Sequence, residues 1–325
     1  MEILKTRLKI TEVRMGWFYN GKCTSKARLD GKTAVVTGCN TGIGKHTVLD
    51  LSRRGARVIM ACRNLEKAEE AANDIRKTLE GVENVGELSI KHLDLSSLSS
   101  VRKCAEQLLK EETNIHLLIN NAGVMMCPRQ LTEDGYEMQF ATNHLGHFLL
   151  TLILLPRILN SAPARIVNVS SIAHKFGSLH SKDINLEKSY QPVIAYGRSK
   201  LCNILFTKEL AKRLEGTGVT VYSLHPGVVD TDLDRHLDSA FFPGSRWFYR
   251  TFGNMFKKSS EQGAQTTLYC AVDESTANQT GLYYDDCVAV RPTGKANDPE
   301  QARKLWDISI EMVHWDKNRD PFQKG

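Results

Sequence analysis

The sequence predicts a single α/β domain: a doubly wound sheet of about seven parallel strands with helices on both faces. Three observations predict it. Short apolar, β-branched runs alternate with longer stretches of helical period from residue 33 to about residue 284. The apolar runs are continuous, as strands buried on both faces require. A glycine-rich turn, Thr37-Gly38-Cys39-Asn40-Thr41-Gly42-Ile43-Gly44, joins the first run to the first helical stretch.

The elements follow in order. Thr33 to Thr37 is a strand, and helical spacing runs from Ile43 to Arg54 until Gly55 stops it. Arg57–Cys62 reads as the second strand, and residues 65–80 as a charged, Ala-rich helix. Leu88–Leu93 is a third strand, with helix signals from Ser97 to Lys110. Ile115–Ile119 is a fourth, followed by a long helix around 136–160. Arg165–Val169 is the fifth strand, 174–192 a polar loop, and Tyr196–Leu214 a helix that ends near Gly216 and Gly218. Val219–Leu224 is the sixth strand. A helix at about 260–273 precedes a seventh, Gly281–Tyr284. No repeat or Pro/Ser linker divides this pattern, so residues 31–325 read as one domain behind a basic extension, 1–30.

With 41% hydrophobic and 25% charged residues, the 325-residue chain has an ordinary globular composition, which excludes a disordered one. Net charge is +6, but residues 1–30 hold seven Lys/Arg against three Asp/Glu, a local +4. The remainder is nearly balanced, which argues against a nucleic-acid partner. Eight cysteines show no metal-knuckle spacing, so reduced thiols in a reducing intracellular compartment are expected, and no metal. The longest apolar stretch, Phe148–Leu155, is far short of the ~20 residues a membrane span needs. The N-terminus lacks the apolar core of a signal peptide.

The chemistry begins at the glycine turn. Without side chains at Gly38, Gly42 and Gly44, backbone N–H groups can approach a pyrophosphate at a helix N-terminus, which favours its charge. Cys39, Asn40, Thr41 and Ile43 belong to the same turn. An acidic residue at the end of the second strand would bind a ribose 2′-OH and repel a 2′-phosphate. This chain has Ala61-Cys62-Arg63 there, and Lys45 adds charge in the first helical turn. Arg63 can pair with a phosphate, so NADP(H) is favoured over NAD(H). The alternative is a solvated surface arginine. Asn120-Asn121-Ala122-Gly123 leaves room for a flat adenine and ribose, and Asp94-Leu95 could meet the adenine edge, although both are also common loop chemistry. Ser171 closes the fifth strand, where a hydroxyl points into the crevice.

Tyr196 and Lys200 stand four residues apart on one helix face. A phenol of pKa ~10 is a poor base at neutral pH. A nearby ammonium favours the phenolate, and Lys200 could also hold the nicotinamide ribose. After the sixth strand, Pro226 and Gly227 turn the chain sharply, followed by Val229, and Thr231 can reach the cofactor carboxamide or phosphates. Residues 241–256 carry seven aromatics with Arg246 and Arg250, which suits a lid (about 232–260) over an apolar substrate. A helix packed on its own domain fits equally well.

These motifs together resemble the short-chain dehydrogenase/reductase superfamily, and within it the retinol dehydrogenase group. The matching runs are T-G-C-N-T-G-I-G-K (37–45), A-C-R (61–63), H-L-D-L (92–95), N-N-A-G-V-M (120–125), N-H-L-G-H-F-L-L-T (143–151), V-N-V-S-S-I-A-H (167–174), Y-G-R-S-K (196–200) and H-P-G-V-V-D-T (225–231), in family order over about residues 21–315. The resemblance implies a Rossmann domain and a catalytic tetrad of Asn143, Ser171, Tyr196 and Lys200. Ser171 would hold the substrate oxygen, Tyr196 would move its proton, and Asn143 would hold a water in a relay through Lys200. The 25-residue gap from Ser171 to Tyr196 looks like the group's insertion, which assigns the serine to Ser171 rather than Ser170.

The expected activity is therefore NADP(H)-dependent interconversion of a lipophilic alcohol and its aldehyde or ketone, retinol and retinal first. A steroid or general carbonyl reductase and a catalytically idle NADP-binding interaction protein are the alternatives. Members of the group usually begin with an apolar membrane anchor, whereas residues 1–20 here are charged and include Trp17-Phe18-Tyr19. A cytosolic protein and one held peripherally on a membrane surface both fit, and a homodimer is left open.

Overall fold

The computed structural model describes residues 21–229, 258–316 and 322. Its centre is an eight-stranded sheet in the order β3-β2-β1-β4-β5-β6-β7-β8. The strands are β1 (Thr33–Thr37), β2 (Arg57–Cys62), β3 (Leu88–His92), β4 (Leu117–Asn120), β5 (Ala164–Val169), β6 (Val219–His225), β7 (Leu282–Asp285) and β8 (Val288–Val290). The first seven are parallel, and β8 pairs antiparallel with β7. The strand order reverses beside β1, between β1 and β4, and that switch point opens a crevice at the carboxyl ends of the strands.

Successive strand residues feed opposite cores. Val35, Ile59, Leu118, Ile166 and Val221 belong to one apolar cluster. Their neighbours Val36, Met60, Ile119, Val167 and Tyr222 belong to the other. This two-sided burial explains the unbroken apolar strand runs. The second cluster is covered by α1 (Gly42–Arg53), α2 (Leu65–Thr78) and α6 (Ser260–Val272). The first is covered by α3 (Leu98–Glu111), α4 (138–160), α5 (Pro192–Arg213) and α7 (Pro299–Met312). Among the described residues no helix is long and apolar enough to cross a membrane.

Several boundaries differ from the sequence expectation, each for a physical reason. Helix α5 begins at Pro192 rather than Tyr196, because a ring-locked φ and a missing N–H suit the first helical position. Helix α4 contains a π turn, Ala141–Leu145, between its α-helical parts Met138–Phe140 and Gly146–Asn160. Strand β8 and helix α7 were not expected. The β7–β8 hairpin turns on Asp286 and Cys287, both at positive φ (49° and 60°), without the Asn-Gly signal that marks such turns. Helix α7 is capped by Asp298, whose carboxylate accepts from the Glu300 and Gln301 amides just ahead of Pro299. Residues 21–30 lie against the domain. The Cys23 amide bonds Gln265 Oε1 at 3.1 Å, and Arg54 Nη1 donates to the Ser25 and Ala27 carbonyls.

Candidate active site

A cavity of about 400 Å³ fills the crevice. At its centre is the glycine turn. Gly38 and Gly42 have φ of +59° and +56°, the left-handed region glycine enters freely. A Cβ on Gly38 would stand 2.6 Å from the Ala122 Cβ, and one on Gly44 would stand 2.7 Å from Cys39 Cα and from the Gly38 carbonyl oxygen. The turn is thus folded onto itself and onto the loop after β4. Thr41, the N-cap of α1, makes no side-chain cap bond, and the first turn carries no acid. The other long helices mostly close their N-termini with a side chain: Asn64 for α2, Ser97 for α3 and Ser259 for α6. The N–H groups that open α1 are thus left uncapped by any side chain, an arrangement that can take an anion. Asn40, Thr41 and Ile43 line the cavity, but Cys39 does not: its thiol donates to the Val36 carbonyl at 3.2 Å beneath the floor.

Arg63 lines one end of the cavity and is exposed. Lys67 and Asn64 line it too, and sequence reasoning missed both. Asn64 accepts from the Lys67 amide as the cap of α2, so the cap itself brings the lysine back toward the strand end. The spacing of a strand end and a capped helix could have signalled this. Lys45, read as a second cation, instead pairs with Asp74 at 2.7 Å and does not line the cavity. Asp94 and Leu95 line it, with the Asp94 carboxylate closing a turn by accepting from the Ser96 amide and hydroxyl.

The loop after β4 is latched to the glycine turn. Asn121 Nδ2 donates to the Thr37 and Gly38 carbonyls at 2.9 and 3.1 Å. Thr37 Oγ1 accepts from the Asn121 and Ala122 amides, both at 3.0 Å. Thr37 Oγ1 also lies 2.8 Å from His147 Nε2, while His147 Nδ1 lies 3.1 Å from the Asn143 carbonyl. A carbonyl only accepts, so Nδ1 carries the proton and Nε2 accepts from the threonine hydroxyl. Burial holds His147 neutral, with its pKa drawn down to about 4.

At the other end lie Tyr196 and Lys200, both buried and both lining the cavity. The Lys200 ammonium sits over the Tyr196 ring, 5.7 Å from its centre, and donates to the Val169 carbonyl at 3.1 Å. Burial draws it down to about 8. The ammonium therefore remains the main form at pH 7. Asn143 does not line the cavity. Its amide is clamped: Oδ1 accepts from the Val124 amide, and Nδ2 donates to the Val124 carbonyl and to Ser199 Oγ. Both Nδ2 donors are spent, which leaves one Oδ1 lone pair. A Cβ on Gly123 would stand 3.3 Å from that oxygen and 3.4 Å from Lys200 Nζ, so the bare glycine leaves the two within reach of one point.

The two motif residues just before Lys200 have structural work. Ser199 holds Asn143, and Arg198, fully buried, donates to the Ile184 carbonyl at 2.6 Å and pairs with Glu137 at 3.0 Å. Sequence reasoning quoted both within the motif but gave neither a role. Ser170 lines the cavity and Ser171 does not. Ser170 Oγ, however, donates to the Lys200 carbonyl at 2.7 Å, whereas Ser171 Oγ accepts from the Ala173 amide as the cap of a 3-10 turn, Ile172–Phe176. After β6, Pro226 lines the cavity. Gly227 lies under the Lys258 side chain, and Val229 packs on Gly263 and bridges to Lys258, so neither lines it. Thr231 and nearly all of the 232–260 lid lie outside the described residues.

Residues 32–240 match the family model described as short chain dehydrogenase. Retinol dehydrogenase 11 from Homo sapiens is 49% identical over 294 residues, covering 90% of this chain and 89% of that one. A crystal structure of an uncharacterised protein from Mycobacterium paratuberculosis aligns with a TM-score of 0.70 at 34% identity, over 89% of this chain and 95% of that chain. The RhlG/NADP active-site complex from Pseudomonas aeruginosa aligns at 0.61 and 25% identity, over 79% and 94%. The chain therefore belongs to the short-chain dehydrogenase family, as an oxidoreductase of its retinol dehydrogenase group that uses a nicotinamide cofactor.

Proposed function

We propose that the chain is an NADP(H)-dependent oxidoreductase that interconverts a lipophilic alcohol and its aldehyde or ketone, with retinol and retinal the leading pair. One observation carries this reading. Tyr196 and Lys200 meet at one end of a cavity whose other end presents Arg63 and Lys67, with neither cation in an ion pair among the described residues. The residues fit the cofactor: an uncapped helix N-terminus and a side-chain-free cradle for the pyrophosphate, and two cations for a 2′-phosphate.

When bound, the cofactor supplies or accepts the hydride. Tyr196 gives its phenolic proton to the substrate oxygen in reduction and takes it back in oxidation. Lys200 keeps positive charge over the ring and so favours the phenolate. Ser171 keeps its hydroxyl proton free of the Ala173 bond and can donate it to the same substrate oxygen. Asn143 and Gly123 leave a point shared with Lys200 Nζ from which that proton can be replaced. The retinol dehydrogenase named as a relative supports a lipophilic substrate.

The test is turnover by purified protein on all-trans-retinal, a steroid ketone and a short soluble aldehyde, each with NADPH and with NADH. The reading predicts the highest kcat/KM for retinal with NADPH. A preference for NADH, or no turnover of any carbonyl, overturns it.

A further inference from the structure

Two buried thiols lie directly under the cofactor site and take no part in the chemistry above. Cys39 Sγ and Cys62 Sγ are 3.7 Å apart. Cys39 stands between Gly38 and Asn40, Cys62 between Ala61 and Arg63, and all four of those neighbours line the cavity. The thiols therefore form the layer beneath its floor, one under the glycine turn and one under the strand end that carries Arg63. Their strands are adjacent and parallel, with Thr37 in register with Ala61.

We propose that Cys39 and Cys62 form an oxidisable dithiol, a modification site at which a peroxide-class oxidant closes a disulfide and lowers affinity for the cofactor. Cys62 is the attacking group: its contact with the Cys39 sulfur and hydrogen bonds from backbone N–H groups of residues 38–40 hold its pKa below the usual thiol value, while burial pushes Cys39 up. The Cys62 thiolate attacks a peroxide oxygen and becomes a sulfenic acid, releasing water once a proton is taken up. Cys39 then attacks that sulfur, loses its own proton, and expels the hydroxyl as a second water. Two thiols give up two electrons and two protons, and one peroxide yields two waters.

The cross-link has a structural cost. The sulfurs must close from 3.7 Å to about 2.05 Å. The Cys39 backbone cannot follow freely, because its Cα already abuts Gly44 so closely that a methyl there would be 2.7 Å away. Pulling Cys39 therefore moves the start of α1 and the phosphate cradle, and pulling Cys62 moves Arg63.

The cross-link stands on thiol geometry alone, whereas its effect on affinity rests on the proposed NADP(H) reading. The test uses the full chain, treated with hydrogen peroxide and then with dithiothreitol. Peptide mapping after differential alkylation reads the bond, and NADPH titration reads the affinity. Expected are a Cys39–Cys62 cross-linked peptide, at least a tenfold rise in the NADPH Kd, recovery with dithiothreitol, and slower cross-linking when NADPH is saturating. Cys39→Ala and Cys62→Ala, each compared with its own reduced form, should show no such rise. Three results would each overturn the proposal: no cross-linked peptide while the half-buried Cys287 is oxidised, a cross-link with unchanged Kd, or an equal rise in both alanine variants. A chain that cross-links but binds neither NADPH nor NADH even when reduced sinks the cofactor reading and leaves the thiol pair standing.

Discussion

Tyrosine is a proton donor only where its surroundings stabilise the phenolate, and here a buried ammonium lies 5.7 Å from the ring centre. Tyr196→Phe keeps the ring and removes the proton. Turnover should fall by ~10²–10⁴, the range of a lost acid–base group, while NADPH affinity by fluorescence titration stays within about twofold, since the hydroxyl is one of many contacts. Wild-type turnover in that variant would refute the proton role. At the far end of the cavity, Arg63→Ala should weaken NADPH by roughly 1.5–3 kcal/mol, the worth of a hydrogen bond to a charged group, and leave NADH nearly unchanged. Lys67→Ala should show the same selectivity with a smaller loss, because a flexible point charge forms no planar two-point bond. Equal losses for both cofactors would show that the cations serve overall charge rather than the 2′-phosphate.

Among elements, the glycine turn shows how much of the site was legible beforehand and where legibility stopped. Gly38, Gly42 and Gly44, Arg63, Tyr196 and Lys200 all line the cavity, and their placement was legible because it follows from a glycine-rich turn, a strand end or a fixed helical spacing. Lys67, the Ser170–Ser171 division of labour and the clamp on Asn143 could not, since each depends on how a cap, a 3-10 turn or a π turn aims a side chain. The three-residue β8 carries too little period to be seen. The turn also yields a controlled prediction. Gly38 and Gly31 both have positive φ, +59° and +72°, but a Cβ on Gly31 meets nothing within 4 Å, whereas one on Gly38 meets Ala122 at 2.6 Å. Gly31→Ala should cost only the left-handed backbone penalty of about 1–2 kcal/mol. Gly38→Ala should cost clearly more in urea unfolding and should also abolish measurable NADPH binding, because the latch from Asn121 to the Thr37 and Gly38 carbonyls must shift. Similar losses in the two variants would mean that the contact with Ala122 relaxes easily.

For the whole molecule, buried histidines tie stability to acidity. His144, His147 and His225 are held neutral by burial, with pKa values drawn down to about 3, 4 and 4. In the unfolded chain each would titrate near 6.5. Between about pH 6.5 and pH 4 the unfolded state therefore binds protons that the native state refuses, and stability falls as pH falls. Each histidine should cost about 2 kcal/mol by pH 5, so the three together remove about 6 kcal/mol, a large share of the ~5–15 kcal/mol that holds a domain folded. His147 makes this more than a solvation effect. If Nε2 gained a proton it would become a donor facing a Thr37 hydroxyl whose oxygen already accepts two amides. Acid thus strains the same latch that shapes the glycine turn. The urea midpoint should drop steeply between pH 6.5 and pH 5, with a slope of at least three protons taken up on unfolding, about 1.4 kcal/mol per proton per pH unit, since burial also draws His46, His116 and His174 down. His147→Gln, which cannot titrate, should remove about one proton from that slope. Carboxylates titrate mainly below this window, so a flat midpoint from pH 6.5 to pH 5, or an unchanged slope in the glutamine variant, would show that these histidines do not govern the acid limit of the fold.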